Sequence, residues 1–150
     1  MEAAGYRYRF APVAVAEGLH RSIIDVRDRG LLAKELYEEY AAYWRFTPPA
    51  GVSEARSLIV LAWPSPAAKV RFRLESGPLE AVIPPTYIAI AERSRCLDVV
   101  RSVLAPAGNV VDWATLPVKL LAVRTGLAQY GRNNITYVTG WGSYIRLGAL

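Results

Sequence analysis

Ser57-Leu58-Ile59-Val60-Leu61-Ala62-Trp63-Pro64 is the stretch on which the fold turns. It is a continuous apolar run that includes β-branched residues and closes on a proline, the composition of a strand covered on both faces. Such a strand needs a layer on each side, so helices are expected to flank it.

Upstream, Leu32, Leu36, Tyr40 and Tyr43 stand at i, i+4, i+8 and i+11, with Lys34, Glu35, Glu38 and Glu39 largely off that face. The spacing predicts a helix from roughly Ser22 to Phe46 with the four apolar residues inward, split in two where Gly30 interrupts it. Thr47-Pro48-Pro49-Ala50-Gly51 ends it, because proline has no N–H for the ladder and disfavours helix in the residue before it.

Downstream, Lys69 to Leu74 alternates cation and apolar residue, which predicts a half-exposed strand with Val70, Phe72 and Leu74 inward. Glu75-Ser76-Gly77-Pro78 turns the chain and Leu79 to Ile83 returns as its hairpin partner. After Pro84-Pro85, Thr86 is the expected N-cap of a helix reaching Leu104, with Ile90, Leu97, Val100 and Leu104 at helical spacing and Pro106 to Gly108 as its stop. Asn109 to Trp113 reads as a third strand. Thr115 then caps a helix carrying Leu116, Leu120, Val123 and Leu127, with Pro117 in the first turn and Gly126 supplying the left-handed residue near its end. Ile135 to Val138 is strand-like again, Thr139 to Gly142 turns, and Ser143 to Leu150 closes as a final strand. Hairpins break the strand and helix alternation of a doubly wound fold, so the order predicts an α+β fold with a mixed sheet and flanking helices.

At 150 residues and 53% apolar composition, the chain suits one domain with one core. No apolar run approaches the roughly 18 residues of a membrane span, and the first residues mix Glu2 with Arg7 and Arg9 unlike a secretory leader. The reading is a cytoplasmic protein with no membrane association. A net charge of +5 favours a polyanionic partner, but the arginines are dispersed as on an ordinary basic surface.

Little of the sequence carries chemistry by itself. The single cysteine, Cys96, cannot form an internal disulfide or ligate a cluster alone and reads as a packed thiol. His20 has no second ligand at metal spacing and reads as a helix-flanking surface residue. Tyr130-Gly131-Arg132-Asn133-Asn134 sets a glycine, a cation and two amides in a turn, a group able to meet phosphate or amide atoms, although such residues also serve turns by adopting positive φ. Asp112, at a strand end before a helix, is placed for general acid work or for a plain helix approach. No Walker or Rossmann glycine loop and no Ser-His-Asp set is present.

Leu116 to Asn134 nevertheless resembles epoxyqueuosine reductase and its shorter iron-sulfur relatives. In that family a strand ending in Asp leads to a helix with Lys and Arg, then Gly-Leu-Gly-x-x-Gly-Lys-Asn, then a hairpin with Gly-Ser and an aromatic residue. Here Gly126-Leu127, Gly131, Asn133 and Gly142-Ser143-Tyr144 take those places, with Asp112 and Lys119 at matching distances before Gly126 and Ala55-Arg56-Ser57 leading into the apolar strand. Ala128 replaces the second glycine and Arg132 the lysine. These departures, together with Leu116-Pro117, Tyr130 and Pro84-Pro85-Thr86-Tyr87, suit the shorter branch of the family better than the tRNA-modifying enzyme.

The resemblance implies a nitroreductase-related domain that cradles a cobalamin and precedes a ferredoxin-like domain with two 4Fe-4S clusters. Asp112 would be the proton donor, and Gly131, Arg132, Asn133, Asn134, Thr136, Ser143 and Tyr144 would line the corrinoid pocket. Partners would be tRNA and an electron donor such as ferredoxin or flavodoxin. With no cysteine run, and with Tyr144 to Leu150 ending in mid-strand, the expectation is a fragment inactive alone, whose gene continues into a cysteine-rich segment. Two alternatives stand beside this one: a docking domain of a ferredoxin-type electron-transfer protein without corrinoid chemistry, and a basic RNA-binding domain.

Overall fold

A computed structural model of the chain describes residues 1, 4–84, 87 and 92–150. Its centre is the strand β2, Ser57–Pro64, flanked antiparallel by β1, Arg7–Pro12, and β7, Ile145–Ala149. Tyr8 faces Leu61 across one ladder and Gly148 faces it across the other. Residues 58–63 of β2 are all buried. Their alternation divides them: Leu58, Val60 and Ala62 join one cluster, Ile59, Leu61 and Trp63 the other.

The first cluster is closed by α1, Val15–Asp28, through Ala16 and Leu19, and by α4, Val118–Arg124, through Leu121 and Ala122. The second is closed by α3, Glu92–Leu104, through Cys96 and Val100, together with Tyr6, Val111 and Leu150. The result is a helix, sheet, helix sandwich, and the apolar run of β2 exists because each of its faces meets a layer. A fully buried Leu or Val in such a place contributes about 1.5–3 kcal/mol.

The α+β class with flanking helices is the one expected, but the sheet is small and every pair among the described strands is antiparallel, so it is not mixed. The long helix is two. α1 begins at Val15, seven residues earlier than expected, and α2 spans Lys34–Ala41. Between them Gly30 takes φ 68°, its N–H donating to Arg27 O and that of Leu31 to Val26 O, the paired bonds of a Schellman stop. α4 ends in the same way at Gly126, φ 70°, as expected there. Leu36, Tyr40 and Tyr43 do not face the core; Tyr43 is 74% exposed, because among the described residues no layer packs over this face of α2 as α1 and α4 pack over the sheet.

The hairpin β3, Ala68–Leu74, and β4, Gly77–Ile83, forms as expected, but its turn is the pair Glu75-Ser76 alone: Gly77 and Pro78, expected in the turn, belong to β4, which sets Leu74 opposite Gly77 and Phe72 opposite Leu79. It pairs with no other described strand, and Phe72 and Leu74 remain about half exposed rather than inward. The expected cap Thr86 and the helix residue Ile90 lie outside the described residues, while Leu97, Val100 and Leu104 do pack toward the second cluster.

Asn109 to Trp113 is extended but is not a strand. Two of its backbone groups bond to side chains instead of a ladder: Arg101 donates twice to Val111 O, and the Asp112 carboxylate accepts from the Trp113 backbone N–H at 2.8 Å. Thr115 is not a cap. Pro117 stands at the N-cap of α4, and Thr115 O accepts from Arg45 N–H. Two short strands, β5, Gln129–Tyr130, and β6, Thr136–Tyr137, then pair before the chain turns at Val138 and Gly142 into β7. Arg7 holds that turn, donating to Thr139 O and lying over the Trp141 ring at 4.3 Å.

Cys96 lies fully inside the second cluster, as a packed thiol should. Burial denies its thiolate solvent and pushes the thiol up from 9.0 to about 11. Thiolate is the reactive form, so at pH 8 iodoacetamide should modify the folded chain roughly 100-fold more slowly than the urea-unfolded chain. Because the folded value is the higher one, the associated stability is complete below about pH 9 and disappears as pH rises through about 11. Equal alkylation rates in the two states would remove Cys96 from the core.

Candidate functional site

A cleft of about 780 Å³ opens where α2, the start of α3, the segment before α4, and the strands β6 and β7 meet. Six aromatic residues line it: Tyr40, Tyr43, Trp44, Trp63, Trp113 and Tyr144. Local packing explains the walls. Tyr40 and Trp44, one helical turn apart, stack at 5.5 Å; Trp44 meets Phe46 edge-on, and His20 stacks on Phe46 at 4.5 Å, so the α2 wall is a buttressed series of rings. Across the cleft Trp63 is backed edge-on by Tyr6 at 6.1 Å.

Gly148 sets the floor. A Cβ there would lie 2.7 Å from the Trp113 ring and 3.2 Å from the Trp63 ring, so only glycine lets both indoles rest against β7. Arg93 lies over Trp113 at 4.7 Å.

The polar lining is one-sided. Arg93, Lys119 and Arg146 are present, and no described lining residue is acidic. Thr136 is 5% exposed, and its hydroxyl has no hydrogen-bond partner among the described residues. A buried hydroxyl without a partner costs about 1–3 kcal/mol, a cost that a bound hydrogen-bonding group would relieve.

Of the residues expected at the site, Thr136, Ser143 and Tyr144 come together in this cleft. Gly131, Arg132, Asn133 and Asn134 are outside its lining and build a tight turn. Gly131 N–H donates to Ile135 O, Asn134 N–H to Gly131 O, and Ile135 N–H to the Asn133 side chain, while Asn134 takes φ 59°. Those groups serve the turn and deliver Ile135 and Thr136 to the cleft. At its start, burial raises the Tyr130 phenol above its usual value.

Asp112 lies elsewhere, half-buried in a second cavity of about 580 Å³ that Glu54, Arg56 and Asn109 also line. The residue after it, Trp113, is the one in the cleft. Sequence reasoning missed both Trp63 and Trp113, as well as Arg93 and Arg146. The available signal was the concentration of Trp and Tyr beside polar or proline neighbours at element ends. No trio of described His, Cys, Asp or Glu residues is placed to hold a metal ion. Among the described residues no helix is long and apolar enough to cross a membrane.

No protein-family model, no curated protein and no solved structure matches the chain.

Proposed function

We propose that this chain is the cofactor-binding domain of a reductase of the epoxyqueuosine reductase type, nitroreductase-related in fold, and that the aromatic cleft is where its corrinoid rests. The observation that carries this reading is the meeting of Thr136, Ser143 and Tyr144 with six aromatic side chains in one cleft. Aromatic faces suit the flat apolar body of a macrocycle, and hydroxyls suit the amides at its rim. The buried Thr136 Oγ1, without a partner among the described residues, suits such an amide.

When bound, the group supplies a reducible metal centre; the chain's residues hold it, orient its rim and exclude water from one face. With Cys96 as its single cysteine, this chain ligates no 4Fe-4S cluster, so reducing equivalents come from a cluster-bearing segment or from a ferredoxin or flavodoxin partner. tRNA is the substrate that the lineage suggests, consistent with the +5 charge.

One observation favours the alternative of a docking module for electron transfer without corrinoid chemistry. Asp112, the expected proton donor, is absent from the cleft lining and accepts from Trp113 N–H. Cobalamin added to the purified chain should change the cobalt spectrum and raise Tm, a saturation of about 100 Kd being worth about 2.7 kcal/mol. A chain that produces neither change is no corrinoid domain.

A further inference from the structure

We infer that the cleft holds an open sheet edge, and that one extended peptide segment of another protein adds there to β7 as a further strand of the central sheet. This rests on reading the cleft as a ligand site and not on its ligand being a corrinoid.

The register of β7 decides which of its backbone groups are engaged. Ile59 and Leu150 exchange both of their N–H···O bonds, and Ser65 N–H donates to Tyr144 O. Along this antiparallel ladder, then, Tyr144, Arg146, Gly148 and Leu150 turn their N–H and C=O toward β2, and Ile145, Leu147 and Ala149 turn theirs away. β7 is the last strand of the sheet order, so those groups form its outer edge. Ala149 O accepts from Ala114 N–H at 2.9 Å, while the backbone groups of Ile145 and Leu147 have no partner among the described residues. Both residues line the cleft.

The kind of occupant follows from that edge. The free groups of Ile145 and Leu147 recur two residues apart, a repeat of about 6.6–6.8 Å that a second extended backbone matches donor for acceptor. Ala114 already makes a bond of this kind at the Ala149 end, so an incoming strand continues an edge contact that the fold has begun. The cleft is walled by α2 and by the segment before α4 and encloses about 780 Å³, room for a single extended segment but not for the sheet of a second copy. Side chains leave the two faces of such a segment alternately, and the aromatic lining receives them. Independently of the edge, the buried Thr136 Oγ1, without a partner among the described residues, offers the entering backbone one more hydrogen bond.

The test uses a blocked hexapeptide that alternates threonine and tyrosine, both favourable in strands, and reads amide hydrogen exchange by NMR on the intact chain. In the free chain the Ile145 and Leu147 amides should exchange at least tenfold faster than those of Arg146 and Gly148. Saturating peptide should slow the Ile145 and Leu147 amides tenfold or more. Two further peptides carry N-methyl groups on their odd or on their even residues; because only alternate residues face the edge, at least one of them should bind tenfold or more weakly than the parent. Ile145→Pro, at the first residue of β7, removes an outward N–H and no ladder bond, so the circular dichroism should be kept while peptide affinity falls about tenfold. Should that variant unfold, the N-methyl peptides still decide.

No binding of the parent peptide, or equal binding of all three, overturns strand addition. Slowing of the Ile145 and Leu147 amides as chain concentration rises without peptide assigns the edge to a second copy and likewise overturns it. Cobalamin binding is scored separately. Cobalamin without peptide upholds the corrinoid reading alone, peptide without cobalamin upholds strand addition alone, and binding of neither overturns both.

Discussion

Leu61→Ala should destabilise the protein by about 3–4 kcal/mol, a large share of the roughly 5–15 kcal/mol that holds a domain folded. Leu61 is fully buried at the middle of the central strand, between Tyr8 and Gly148 in the ladders and against the cluster that contains Cys96 and Val100. Truncation removes the transfer energy of the lost carbons and leaves a cavity that strands paired on both sides cannot collapse to fill. Urea denaturation followed by circular dichroism gives the value directly. Phe72→Ala on the hairpin is the control. Both residues read as inward strand positions by local pattern, yet Phe72 is 48% exposed and packs chiefly across to Leu79, so its loss should cost under about 1 kcal/mol. Equal costs for the two would contradict the sandwich and its projecting hairpin.

Gly148→Ala should cost about 2–3 kcal/mol and reshape the cleft at the same time. The added methyl meets the Trp113 ring at 2.7 Å, and Trp113 has little room to retreat: Arg93 covers its face, and Trp63 flanks the position at 3.2 Å. The urea midpoint should fall at unchanged m, and native tryptophan emission should shift because two indoles are displaced. Cobalamin binding should weaken more than tenfold, since the floor of the site moves. Unaltered stability and emission would mean that the two indoles do not rest on Gly148 as described.

These two positions also show how far the sequence could be read. The placement of β2 was legible because a strand covered on both faces carries its burial in its own composition. Gly126 was legible because a helix stop is a local backbone event, and the hairpin because alternation on either side of a turn is local too, although its register was not: the turn was read as four residues and is two. Ser143, Tyr144 and Thr136 were placed at a site through resemblance, and the structure brings them to one cleft. The turn from Gly131 to Asn134 has the composition of a binding loop and the hydrogen bonds of a turn, an ambiguity that local chemistry could not resolve.

By itself, then, the sequence determined the central strand, the helix stops, the hairpin and the α+β class, all features whose causes lie within a few residues of one another. Tertiary structure alone decided which apolar faces are covered. Leu36 and Tyr40 keep the spacing of a helical stripe and Tyr43 follows just past the end of α2, but a stripe is buried only where another layer meets it, and no described element covers this one, so Tyr40 and Tyr43 line the cleft instead. It likewise decided that Trp113 enters the cleft while Asp112 lines the other cavity, and that Gly148, far along the chain, provides the floor beneath Trp63 and Trp113. Those are contacts between distant segments, set by how the layers close on β2, and no local pattern encodes them.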